Sequence, residues 1–182
     1  MNGRGLYTSL VSIALLAAWL GVAVFVAAVI APAAFAVLPT RALAGALVGR
    51  ALPVLFISGV LLGGMATAYY ATSARITALG GLLLLTGNAA ALMIERRLHD
   101  LLTAVGAPID TLAMTDARRV EFGRLHGLSV LMMGVGVVGA SIALVTLARR
   151  IHANGGNPQP AIASRTDATS SAMASSSSSM IT

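Results

Sequence analysis

The sequence predicts an all-α fold: a membrane four-helix bundle with a kinked first helix and a disordered C-terminal tail. Three observations carry the prediction. Only 10% of the 182 residues are charged and 57% are hydrophobic, whereas a soluble globular domain carries about 25% charged residues. The chain lacks the polar surface that a water-soluble body needs. Its apolar residues also fall in four uncharged runs, 5–40, 51–74, 76–94 and 127–148. Each exceeds the ~18 residues that mark a membrane-spanning helix, since about 20 residues at 1.5 Å rise cross a ~30 Å hydrocarbon core. Beyond His152 the composition turns to Ser, Ala, Gly and Pro without periodicity. Such a segment buries too little apolar surface to offset the entropy of ordering.

The reading is therefore a transmembrane domain over 1–152, with spans at about 6–38, 44–72, 75–98 and 115–150, and a tail over 153–182. Span one would be about 50 Å long as a straight helix. Pro32 removes a hydrogen bond and clashes with the preceding turn, so a kink or break is expected there. PAAFAVLP would then form a turn of helix at the interface. The small residues of APAAFA look like a signal-cleavage site, but the apolar run exceeds a 7–15-residue signal core. A retained first span is expected. Span two carries Arg50 and Pro53 near its start and Tyr69 and Tyr70 near its end, where aromatic residues suit the interface. Span three holds Asn88, and a polar connection with turn signals at Gly106, Pro108 and Asp110 follows from His99. Span four starts at Thr115–Asp116, an N-cap pair whose acid suits the helix dipole.

All twelve basic residues are arginine, the net charge is +6, and cysteine is absent. The arginines sit at the edges of the apolar blocks, where they meet lipid headgroups. A nucleic-acid partner would need a clustered basic face, and none is expected. Without cysteine there are no disulfides, thiolate metal sites or cysteine nucleophiles. The GxxxG pairs Gly45/Gly49, Gly59/Gly63 and Gly123/Gly127 let helix backbones approach closely. Contact within the bundle is the first expectation, and a homo-oligomer through these faces the second.

Four crossings place the first and third loops on one membrane face. Arg50, Glu95, Glu121, Arg124 and His126 gather there. With span four centred near Val137, His126 lies about 16 Å from the midplane and Arg124 about 20 Å, while Arg50 lies about 16 Å from its own span's centre. At that boundary a charge costs far less than the ~2.5–3.5 kcal/mol of a central position. Glu121 and Arg124 are three apart and can pair along the helix, and Glu95 is available to Arg50. Phe122, His126, Ser129 and Met133 form one stripe, while Asn88 and Glu95 share a face of span three. A polar pocket of Arg50, Asn88, Glu95, His126 and Ser129 is therefore geometrically open to the chain. The arginines divide five (4, 75, 149, 150, 165) to seven (41, 50, 96, 97, 118, 119, 124) between the faces, too even a split for the positive-inside rule to choose.

His126 offers a single ligand where stable metal sites need three or four, so no metal or cofactor is expected. Ser129 lies on the His126 face but has no orienting carboxylate, and helix-interior N–H groups are already bonded. No catalytic residue is expected, and no enzymatic activity.

Three stretches resemble a known family: WLGVAVF at 19–25, PAAFAVLPTRALAGALVGRALPVLF at 32–56, and FGRLHGLSVL at 122–131. The signature F-x-R-x-H-G-L-S is met by Phe122, Arg124, His126, Gly127, Leu128 and Ser129. A basic residue three before a proline is met by Arg50 and Pro53. The family is the bacterial domain-of-unknown-function 4149 family, related to transmembrane protein 205 of eukaryotes. The resemblance implies a four-span integral membrane protein without an established activity. Copper-resistance-type and haem-related membrane proteins resemble the first span more distantly, but they use several intramembrane histidines that this chain lacks. The expectation is a non-enzymatic component of the bacterial inner membrane, partnered by the lipid bilayer through a polar arginine/histidine rim. A small-solute transporter or exporter is the alternative, and a haem- or copper-binding protein a more remote one.

Overall fold

The structure, a computed structural model, describes residues 3–155. The expected disordered tail lies outside the described residues, except that 153–155 continue the last helix. Residues 3–149 pack as one unit, and from Arg150 the chain is described only as the end of that helix.

The elements run α1 (Gly3–Phe25), a π-helical turn (Val26–Ile30), α2 (Ala31–Val37), α3 (Arg41–Tyr70), α4 (Arg75–Val105), a 3-10 turn (Ile109–Thr111) and α5 (Ala117–Gly155). Among the described residues, four stretches are long and apolar enough to cross a membrane: Gly3–Val37, Arg41–Tyr70, Arg75–Val105 and Ala117–Ala153. The protein is a multi-pass membrane helical bundle.

The expected kink or break at Pro32 takes the form of an irregular turn and not a break. Helix continues through the proline, and the irregularity lies just before it, in the π turn. The Ala31 N–H donates to the Val26 carbonyl five residues back. Widening the turn to five residues accommodates a ring that would otherwise clash with the carbonyl four residues earlier. The expected interfacial turn is α2. Pro53 lies inside α3, where its missing N–H leaves the Gly49 carbonyl without its usual helical donor.

Helix starts and stops follow local chemistry. The Thr40 hydroxyl caps α3 by accepting from Leu43 N at 3.2 Å. The third span was expected to end near Leu98, but α4 runs seven residues further, to a left-handed cap at Gly106 (φ 65°). His99 and Asp100 end the lipid-compatible stretch; only Gly106 ends the helix. Asp116 caps α5 as expected, accepting from Arg118 N at 2.9 Å, and its carboxylate also meets Arg118 Nη2 at 2.9 Å. That side-chain bond, with the backbone one, holds the Asp116 carboxyl below the usual aspartate range. Its folded value lies below its unfolded one. Its contribution is therefore present above the ordinary aspartate value and lost as pH falls through the lowered one. Asp116→Asn should lower the thermal midpoint at neutral pH and flatten its dependence on acidification below pH ~4.

α4 is the central helix. It packs along α3, and glycines bring α5 close on its other side. A Cβ at Gly80 would stand 2.7 Å from Gly139 O, and one at Gly87 would stand 2.7 Å from Met132 O. On the α3 side, a Cβ at Gly63 would overlap the Leu85 backbone nitrogen. Lipid tails remove the usual hydrophobic drive for helix association, so close backbone contact and interhelical hydrogen bonds replace it. α1 is held to α3 by Trp19 Nε1, which donates to Leu55 O at 3.1 Å, and by the Tyr70 hydroxyl, which donates to Ser12 Oγ at 3.2 Å. Thr77 and Thr146 hydroxyls join α4 to α5 at 2.9 Å. Leu16, Trp19, Leu55, Leu84, Ala140 and Leu147 form the shared core.

Candidate functional site

The expected polar residues do not form one pocket. They separate into Glu95 and His126 at the rim, Asn88 and Ser129 buried beneath it, Glu121 and Arg124 on the outer side of α5, and Arg50 exposed on α3.

At the rim, half-buried Glu95 on α4 reaches toward α3. Its Oε1 lies 3.8 Å from where a Cβ of Gly49 would stand. His126 on α5 is exposed and lies near the Glu95 carboxylate. Its imidazole stacks on Phe122, with ring centroids 6.0 Å apart and planes 4° from parallel. The stripe read from the sequence is thus real: Phe122 is half-buried, Ser129 buried, and Met133 packs against the core.

Arg50 is exposed, and no ion pair joins it to Glu95 among the described residues. The expected Glu121–Arg124 pair is absent too. Holding two long exposed side chains in one geometry costs entropy that a screened Coulomb attraction barely offsets. Both are left open to other partners. Arg118 instead pairs with Asp116 at 2.9 Å.

Beneath the rim, Ser129 is 4% exposed and Asn88 is 0% exposed. Asn88 lies two turns, about 10 Å, deeper along α4 than Glu95. It is wedged between glycines of both neighbouring helices. A Cβ at Gly59 would stand 2.6 Å from Asn88 Cγ, and one at Gly136 would stand 2.5 Å from Asn88 Nδ2. Nδ2 donates to Leu84 O at 2.8 Å, while Oδ1 is buried without a hydrogen-bond partner among the described residues. Asn88 is a wedge between helices, separated from the rim by those two turns.

Glu121 and Arg124 face away from His126. At 100° per residue, Arg124 and His126 point about 160° apart around α5. On that outer side a shallow groove is lined by Val120, Glu121, Arg124, Gly127, Leu128 and Leu131, among others.

Two features were missed from the sequence. Arg119 clamps the connection before α5, its Nη1 donating to Asp110 O at 3.2 Å and Leu112 O at 2.6 Å. An arginine in a basic pair carries no sequence mark for that task. The α4–α5 glycines, Gly80, Gly87, Gly136 and Gly139, were missed because they fall outside GxxxG spacing. A search for small residues at seven-residue spacing finds the first two. Of the GxxxG pairs, Gly59 and Gly63 lie in the α3–α4 contact, while Gly45, Gly123 and Gly127 have no neighbour within 4 Å of a Cβ.

Among the described residues no three His, Cys, Asp or Glu side chains group closely enough to hold a metal ion. A family model described as a domain of unknown function, DUF4149, matches residues 14–156. No curated protein and no solved structure matches the chain.

Proposed function

The chain belongs to the DUF4149 family, and from that premise we propose that it is a non-enzymatic component of the bacterial inner membrane. It acts through the charged rim at one end of its bundle, in contact with lipid headgroups. The kinship to transmembrane protein 205, carried by Phe122, Arg124, His126, Gly127, Leu128 and Ser129, is part of the same proposal.

One observation carries the reading. The acidic side chains of α4 and α5 all lie at one end, Glu95 and Glu121 with Arg124 and His126 beside them, while the interior beneath is closed by glycine contacts. A polar path from Glu95 past Asn88 would have to part helices that meet at Gly59 and Gly136, which tells against a transporter. Ser129 is 4% exposed on a continuous helix, with no free N–H groups nearby to stabilise an oxyanion.

The test uses the purified full chain in proteoliposomes and a reporter fused at Thr182 for its placement in the cell. Expected are inner-membrane fractionation, no hydrolysis of lipid esters or peptides, and no solute flux above protein-free vesicles. Hydrolysis lost on Ser129→Ala, or flux lost on His126→Ala, overturns the reading.

A further inference from the structure

We propose that the outer groove of α5 seats a phospholipid with a primary-ammonium headgroup, its phosphate on Arg124, its ammonium on Glu121 and an acyl chain along Leu128 and Leu131. The inference deepens the rim reading, on which it rests, by naming a lipid class and its seat.

Depth comes first. Counted from Val137 at 1.5 Å per residue, Leu131 lies about 9 Å from the midplane, Leu128 about 14 Å, Arg124 about 20 Å and Glu121 about 24 Å. The hydrocarbon core ends at about 15 Å and the headgroup layer at about 20–22 Å. The groove is therefore apolar where acyl chains run, cationic at the outer limit of the headgroup layer, and anionic just beyond it. That order is the order of charges along a zwitterionic phospholipid whose amine lies outside its phosphate.

Direction agrees. Glu121, Arg124, Gly127, Leu128 and Leu131 fall within about 120° of the α5 surface. Leu128 and Leu131 are 44% and 59% exposed. Gly127 has nothing within 4 Å of where its Cβ would stand, so it notches the helix one turn inside Arg124, where a lipid backbone needs room.

Charge selects the headgroup. Neither Glu121 nor Arg124 has an ion pair or hydrogen bond among the described residues, although their spacing allows one to the other. An anionic lipid would satisfy Arg124 and leave Glu121 facing like charge. A quaternary ammonium would offer Glu121 charge without a donor. A primary ammonium offers both, as a charge-assisted hydrogen bond.

The full chain in mild detergent is mixed with equal phosphatidylethanolamine, phosphatidylcholine and phosphatidylglycerol, and retained lipid is counted by native mass spectrometry. Phosphatidylethanolamine is expected to exceed each of the others by about tenfold, the effect of one charged hydrogen bond. Glu121→Gln should erase the preference over phosphatidylcholine while total lipid holds. Arg124→Gln should lower all three. Gly127→Leu should fill the notch and lower all three with their ranking kept. All three substitutions are at exposed positions, and an unchanged thermal midpoint checks their fold. A wild-type preference for phosphatidylglycerol, or a Glu121→Gln variant with its preference intact, overturns the proposal. So does a dimer that excludes lipid and dissociates on Gly127→Leu, which would assign the groove to a second copy. A protein that hydrolyses lipid but keeps the headgroup preference would overturn the rim reading and leave the seat standing.

Discussion

Gly139→Ala is expected to destabilise the detergent-solubilised protein by about 3 kcal/mol, the upper end of overpacking costs. The added Cβ would stand 2.6 Å from both Gly80 O and Leu84 N. Both are backbone atoms of the central helix, so no side chain can rotate aside; α4 and α5 must separate. Separation also strains the Thr77–Thr146 hydroxyl contact between the same helices. Gly64→Ala is the matched control. It sits in a helix with nothing within 4 Å of its Cβ, so it should be neutral or more stable by up to about 1 kcal/mol, the helical preference for alanine over glycine. Thermal or denaturant unfolding of the two variants side by side decides the matter. Equal midpoints would show that the α4–α5 crossing is not set by backbone contact.

The contrast between Gly139 and Gly64 also marks where sequence reading stops. The four spans were legible because lipid imposes one strong condition: a long run without charge. The Asp116 cap, the first-helix irregularity near Pro32 and the Phe122–His126–Ser129 stripe follow from equally local rules. Which helix sits at the centre did not follow. Every span is apolar on nearly all faces, so hydropathy does not say which face meets a helix and which meets lipid. Only the seven-residue spacing of Gly80 and Gly87 hints at the face of α4 that α5 meets.

The rim was legible in composition and misread in arrangement. The crossing pattern gathers Glu95, Glu121, Arg124 and His126 at one end. It did not show that Glu121 and Arg124 turn outward while His126 turns toward Glu95, although residue spacing alone sets Arg124 and His126 about 160° apart. The end of α4 was misjudged because charged residues mark the limit of lipid. A helix continues past that limit until its backbone meets a terminator, here Gly106.

Asn88 gives the second large effect, and its sign depends on shape more than on polarity. Asn88→Ala should cost about 2 kcal/mol, because it empties a site whose walls on two sides are Gly59 and Gly136, which have no side chains to relax inward. Asn88→Leu should fall within about 1 kcal/mol of the native protein despite losing every polar atom of the side chain. Leucine branches at the same carbon and carries the same number of side-chain heavy atoms. It removes an Oδ1 that is buried without a partner. The Leu84 carbonyl, which accepts from Nδ2 at 2.8 Å, keeps its ordinary helical donor. Losing a surplus bond and an unsatisfied acceptor together is close to balanced. If Asn88→Leu proves as damaging as Asn88→Ala in the same unfolding measurement, the amide is held by more than its fit. An ordered water on Oδ1 would be the simplest such partner, and high-resolution density between α4 and α5 would reveal it.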